Sequence, residues 1–308
     1  MSVVHRRTMP WGILFISCMK KIDISLQKTL HFCKKRGIII KNTIFTLTSK
    51  RGFIFMGKII AFANQKGGVG KTTSAVNIAA SLGVLGYKVL MIDLDPQGNA
   101  TSGVGVIKKS LKMTAFDLLT TDATVQDVMI KTRFDNLSII PTNTTLARAE
   151  YELADVENGE FVIKNKLAPV LDGFDYVIID CPPSLGMLTV NAMTAANGVV
   201  IPMQCEFFAL EGLSQLMFTI SRIKSHYNKE LNVTGILITM YNNRLILSAQ
   251  VLSELRKHYA DKLFETTVSR NVKLSEAPSF GLPVYYHEKR SKGAVEYLNI
   301  AKELAERI

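Results

Sequence analysis

The sequence predicts an α/β protein: a doubly wound, mostly parallel sheet with helices on both faces. Three observations carry that reading. Short apolar runs of strand type recur along the chain, helical segments separate them, and a glycine-rich turn joins the first run to the first helix. Strands that are apolar throughout, without polar alternation, belong to sheets covered on both sides. Composition agrees, since 47% of the 308 residues are hydrophobic and 20% charged, which excludes a mainly disordered or fibrous chain. No run approaches the roughly 18 uninterrupted apolar residues that a membrane-spanning helix needs. Four cysteines without a CxxC pair argue against a disulfide scaffold or a zinc ribbon and fit a reducing cytosol.

The first strand is 58–63 (KIIAFA), and the helix after the glycine-rich turn covers 72–86. That helix has small residues on its packing face, and Gly86 is its terminator. A second buried strand follows at 88–93 (KVLMID). Later apolar runs at 137–140, 176–180, 198–202 and 233–239 supply further strands, with helices expected near 184–196, 211–227, 248–258 and 292–307. No repeat or low-complexity linker interrupts the stretch from 56 to 308, so one domain is expected there.

Residues 1–55 differ in character. They hold eleven Lys or Arg and one acid, Asp23, which is +10 of the chain's total of +11. They also contain Trp11, Cys18 and Cys33, and show no sustained helical or strand period. The expectation is a basic extension outside the folded domain, with translation starting at Met56. A secretory signal is suggested by Arg6 and Arg7 ahead of the apolar run 11–19, but Lys20 and Lys21 follow directly and no small-residue cleavage site is visible. The basic, acid-poor composition also fits an organellar transit peptide, and basic arms of this kind bind DNA. The remainder carries a net charge of only +1, so any nucleic-acid binding there has to come from a local patch.

The central chemical signal is NQKGGVGKTT at 64–73, between strand and helix. Gly67, Gly68 and Gly70 let the backbone curl so that successive N–H groups can meet phosphate oxygens. The helix that follows adds the positive end of its dipole. Lys71 would reach the β- and γ-phosphates of a nucleotide, and the Thr72 hydroxyl would ligate Mg²⁺. The strict GxxxxGK[ST] pattern is broken at its first position, where Gln65 stands. Two acids follow strand ends: Asp95 in DLDPQGN, placed to orient an attacking water and reach the Mg²⁺ shell, and Asp180, placed to hold Mg²⁺ through water. Asp93, at the very end of its strand, is the weaker candidate. Both carboxylates lie at strand C-terminal ends, where open α/β sheets bind their ligands. Cys181 and Cys205 read as small core residues, and the five histidines have no metal-ligand spacing.

KGGVGKTT resembles the deviant Walker A box of the ParA/MinD ATPases, a P-loop NTPase family. The resemblance implies that Lys66 crosses a dimer interface to the partner's nucleotide, so that ATP closes a sandwich homodimer. It assigns Gly67, Gly68, Val69, Gly70, Lys71, Thr72 and Thr73 to the nucleotide and Asp95 to hydrolysis. Three further segments, DPQGNAT at 95–101, QCEFFALEGL at 204–213 and RNVKLSEAPS at 270–279, resemble the Soj-like chromosomal ParA proteins, and the similarity runs from 56 to 308. It implies an ATP- and Mg²⁺-dependent DNA-partitioning ATPase, cytoplasmic and nucleoid-associated. Such a protein binds double-stranded DNA without sequence preference and is released when a ParB-like centromere-binding partner stimulates hydrolysis. The main DNA-contacting arginine of that group matches Arg244; Lys273 matches a second basic position, with Arg270 close by. The competing reading is a MinD-like membrane ATPase of division-site placement. Against it, the C-terminal segment 294–308 has acids at 296, 303 and 306 and lacks the cationic face that anionic lipid attracts.

Overall fold

The computed structural model describes residues 57–308; the expectations for 1–55 lie outside the described residues. Seven strands form one sheet in the order β3-β4-β2-β5-β1-β6-β7. They are β1 Lys58–Phe62, β2 Val89–Asp93, β3 Ile130–Lys131, β4 Leu137–Ile140, β5 Tyr176–Asp180, β6 Gly198–Gln204 and β7 Asn232–Thr239. Every pairing is parallel except β3 with β4. Two residues are too few to show a period, which is why β3 is invisible in the sequence.

Five helices of nine or more residues cover the sheet: α1 Lys71–Val84, α2 Met187–Ala195, α3 Ala209–His226, α4 Ile246–Tyr259 and α5 Lys292–Arg307. Strand alternation sorts them onto two faces. Ile60 and Phe62 point into a cluster with Ile78, Leu82, Tyr297, Ile300 and Leu304, from α1 and α5. Ile59 and Ala61 point into the opposite cluster, with Leu188, Leu216, Ile220 and Leu255 from α2, α3 and α4. The doubly wound architecture read from the sequence is therefore observed.

The C-terminal helix is packed on the domain, as expected. Tyr297 is buried with its hydroxyl 3.1 Å from Ser74 Oγ of α1. Glu303 accepts from the Glu265 N–H at 2.8 Å, and Glu296 accepts from the Ser269 N–H and hydroxyl. Two of the three acids counted against lipid binding, Glu296 and Glu303, thus tie the helix to the domain. Among the described residues no helix is long and apolar enough to cross a membrane.

Several close approaches depend on glycine, two of them near α1 and the loop after β2. On α1, a Cβ at Gly83 would lie 2.1 Å from the Asp135 carbonyl oxygen. Gly83→Ala is expected to lower stability by about 1–3 kcal/mol, because the contact is with main chain and cannot yield cheaply; a denaturant midpoint unchanged from the parent would refute it. The second approach joins the loop after β2 to the turn Ala277–Phe280. Gly105 and Gly281 have φ of 78° and 61°, and a Cβ on Gly281 would lie 2.6 Å from the Gly105 Cα. Arg133 clamps the contact from outside, donating to the Gly281 carbonyl at 3.1 Å. The helix terminator behaves as expected: Gly86 has φ 96° and follows the last turn of α1.

Candidate functional site

The site lies at the C-terminal ends of the central strands. Phe62 of β1 and Asp93 of β2 are both register partners of Asp180 on β5, so the loops leaving these strands start at one level. The 64–70 loop is fastened to the neighbouring strands by side chains to which the sequence motifs assign no role. Asn64 donates to the Pro202 carbonyl and accepts from the Lys66 N–H. Gln204 donates to the Gly68 carbonyl at 2.8 Å, and the Thr239 hydroxyl donates to that of Val69 at 2.8 Å. All three lie far from the loop or outside its glycine pattern, so only the parallel order β1-β6-β7 reveals them.

Within this frame the loop stays open. Gly68 and Gly70 have φ of 74° and 82°, a conformation that favours glycine. Added Cβ atoms at Gly67 and Gly68 would meet nothing within 4 Å. The N–H groups of residues 67–70 donate no hydrogen bond among the described residues, and Gly70 caps α1 without a side-chain partner. Free N–H groups ahead of a helix N-terminus attract an anion. Lys71 is buried at the same place, its Nζ 3.2 Å from the Lys66 carbonyl oxygen. Burial pushes its pKa below the ordinary lysine value, against the pull of the Asp180 and Asp95 carboxylates.

The acids divide into three roles. Asp180 is fully buried, and neither of its oxygens has a hydrogen-bond partner among the described residues. Burial, and then the neighbouring Asp93 charge, hold its pKa well above the usual carboxylate range, opposed by the Thr72 hydroxyl and the Lys71 ammonium. Such a carboxylate is out of balance unless a cation joins it. One open carboxylate beside a threonine hydroxyl suits Mg²⁺, which keeps waters and phosphate oxygens in its shell. No group of three or more His, Cys, Asp or Glu forms a protein-only metal cage among the described residues. Asp95 is buried in the loop after β2, where Oδ1 accepts from the Gln97 N–H at 2.9 Å. Asp93 is fully buried and engaged with Thr101, whose N–H and hydroxyl both donate to Oδ2. Burial raises its pKa to about 6 despite those bonds.

Lys66 sits at the exposed rim, in an ion pair with Glu206. Each side chain is more than 40% exposed, so the pair is worth less than about 1 kcal/mol and opens readily. Thr72 and Thr73 lead α1, and the Thr73 carbonyl accepts from Asn77 at 2.8 Å. Cys181 and Cys205 are buried core residues, as the sequence suggested; burial pushes the Cys205 thiol up to about 11.

The three basic residues singled out in the sequence are not equivalent. Arg244 is exposed in the loop after β7 and forms no ion pair among the described residues. Arg270 is also exposed, with one nitrogen 4.0 Å from the sulfur of Met240, the residue that follows β7. The two arginines therefore share one rim. Lys273 is committed locally, its Nζ 2.8 Å from Glu276, and that contact raises its pKa.

Known proteins share this architecture and sequence. A family model described as an AAA domain matches residues 57–233. The sporulation initiation inhibitor protein Soj of Bacillus subtilis is 50% identical over 250 residues, a match covering 81% of this chain and 99% of that protein. The chromosome partitioning protein ParA of Myxococcus xanthus is 45% identical over 258 residues, covering 84% and 91%. Among solved structures, a Mycobacterium smegmatis cobyrinic acid a,c-diamide synthase with bound ATP analogue and magnesium superposes with a TM-score of 0.72. It is 35% identical, and the match covers 81% of this chain and 95% of that one.

Proposed function

The chain belongs to the Soj/ParA family of partitioning ATPases, and from that premise we propose that it moves DNA by cycling between an ATP-bound, DNA-coating homodimer and a released state. The observation that carries the DNA half of this reading is Arg244: exposed, unpaired among the described residues, and five residues beyond the Thr239 that holds the nucleotide loop. Phosphate contacts give affinity without sequence reading, which suits travel over bulk DNA. Arg270 extends the patch on the same rim. Lys273 joins it only by exchanging its bond to Glu276 for a phosphate.

In the nucleotide half, the open N–H groups of residues 67–70 and the Lys71 ammonium hold the phosphates of ATP. Thr72, Asp95 and Asp180 would hold Mg²⁺, the two carboxylates through water; when bound, the ion would neutralise phosphate charge. Asp95 orients the attacking water. Lys66 leaves Glu206 and reaches the nucleotide of a second copy, which makes dimer formation depend on ATP. A homodimer doubles the arginine patch, so DNA affinity rises steeply with dimerisation. A ParB-like partner accelerates hydrolysis and frees the DNA, giving a cytoplasmic protein that resides on the nucleoid.

Co-sedimentation of the full chain with random-sequence duplex DNA, with ATP or ADP, tests this. The expected result is an ATP-dependent component of binding that Arg244→Ala weakens at least about tenfold while ATP binding persists. Binding that ignores the nucleotide, or ATP-dependent capture by anionic vesicles in place of DNA, would overturn the partition reading.

A further inference from the structure

Asp93 and Asp180 are the same residue type, in register on adjacent strands, both without solvent exposure. Their surroundings are opposite. Among the described residues Asp180 has no hydrogen-bond partner, whereas Asp93 accepts three bonds: from the Thr101 hydroxyl at 2.6 Å, the Thr101 N–H at 2.7 Å and the Asp95 N–H at 3.2 Å. One carboxylate therefore ties both ends of the seven-residue segment that runs from Asp95 to Thr101. Inside that ring, Asp95 accepts through Oδ1 from the Gln97 N–H and through its carbonyl from the Gly98 N–H at 2.8 Å. Thr101 is anchored a second time, its hydroxyl oxygen accepting from the Thr142 N–H at 2.9 Å. Thr101 and Thr142 are fully buried, so no water competes for these bonds. The Thr101 hydroxyl is used as donor and acceptor at once, which leaves it one orientation.

We propose that Asp93 and Thr101 are positioning residues for ATP hydrolysis: their buried hydrogen bonds fix the backbone that carries Asp95, and so fix where Asp95 holds the attacking water. The inference rests on the reading of Asp95 given above. Charged acceptors make the stronger hydrogen bonds, and a satisfied carboxylate beside an unsatisfied one separates the group that holds the loop from the group left open for the cation. A displacement of about 1 Å at a water-orienting group costs roughly a hundredfold in rate, so loosening the ring affects turnover far more than ATP affinity, which the 64–72 segment supplies.

The test compares Thr101→Val, Thr101→Ser, Asp93→Asn and the double variant Asp93→Asn/Thr101→Val in ATPase assays of the full chain, with folded fraction followed by circular dichroism. Thr101→Val is expected to lower kcat about tenfold or more, with KM for ATP changed by less than about threefold. Thr101→Ser keeps the hydroxyl and is expected to stay near the parent rate. The double variant is expected to be no slower than the slower single variant, because both remove one device. A kcat unchanged in Thr101→Val, or one that falls only in proportion to the folded fraction, would overturn the proposal. Asp95→Ala separates the two levels of inference. If it abolishes hydrolysis while Thr101→Val does not, only the positioning role fails; if it hydrolyses ATP normally, the role of Asp95 fails too.

Discussion

Lys71→Ala is expected to reduce ATP hydrolysis at least about a hundredfold, the scale on which removing a preorganised charge from a reacting group is felt. Three features make the effect large. The ammonium is buried, so its field on a phosphate is weakly screened. It faces two carboxylates, Asp180 and Asp95, which its removal leaves without a compensating cation. Its one hydrogen bond among the described residues is the 3.2 Å contact to the Lys66 carbonyl, which leaves the ammonium donors for a phosphate. Phosphate release and nucleotide titration on the same preparation check the result, with circular dichroism as the control for folding. Hydrolysis within threefold of the parent would remove Lys71 from the reacting site.

Asp180→Asn is expected to move stability and function in opposite directions. The aspartate is a fully buried carboxylate without a hydrogen bond among the described residues, and Asp93 lies beside it. A neutral amide of the same shape removes the cost of burying that charge, so the protein without nucleotide or metal should gain about 1–3 kcal/mol. At the same time the stabilisation conferred by Mg²⁺ and ATP together should largely vanish, since a neutral side chain gives the cation no charge to neutralise. Thermal unfolding with and without Mg²⁺-ATP reads both effects. The sign with pH follows from the raised pKa. A carboxyl easier to protonate when folded adds stability at low pH, and loses it as pH rises from about 4 through the raised folded value. The contribution of Asp180 to the metal-free parent should therefore fall as pH rises above about 4, and Asp180→Asn should lack that pH dependence. A lower unfolding temperature for Asp180→Asn in the absence of ligands would contradict the account.

Much of the architecture was legible because its signals are local. The runs VLMID and YVIID are buried at every position, and glycines mark the turn after β1 and the end of α1. The nucleotide loop was legible for the same reason: its glycines, lysine and threonine are consecutive. What holds the loop was not. Gln204 and Thr239 bond it from 136 and 170 residues away, and neither residue type announces that contact. Asp93, the weaker candidate in the sequence, has its oxygens engaged by Thr101 and Asp95, which no local signal announces. The pairing of Lys273 with Glu276 was legible in principle, since the two stand three residues apart on a short helix. The Arg270 contact with Met240 needed the chain to fold back 30 residues.

The abutment of Gly105 on Gly281 has a mechanical meaning. Side chains that meet across an interface absorb small displacements by turning about their torsions. Two α-carbons in contact have no such soft coordinate, and a close-packed interior passes strain on. The loop that begins at Asp95 ends at one side of this contact. On the other side is the turn that leads back through the Val272–Glu276 helix to Arg270. Asn77 of α1 adds a second strut, accepting from the Val284 N–H at 2.7 Å. Backbone packed on backbone thus links the loop that begins at Asp95 to the segment that carries Arg270.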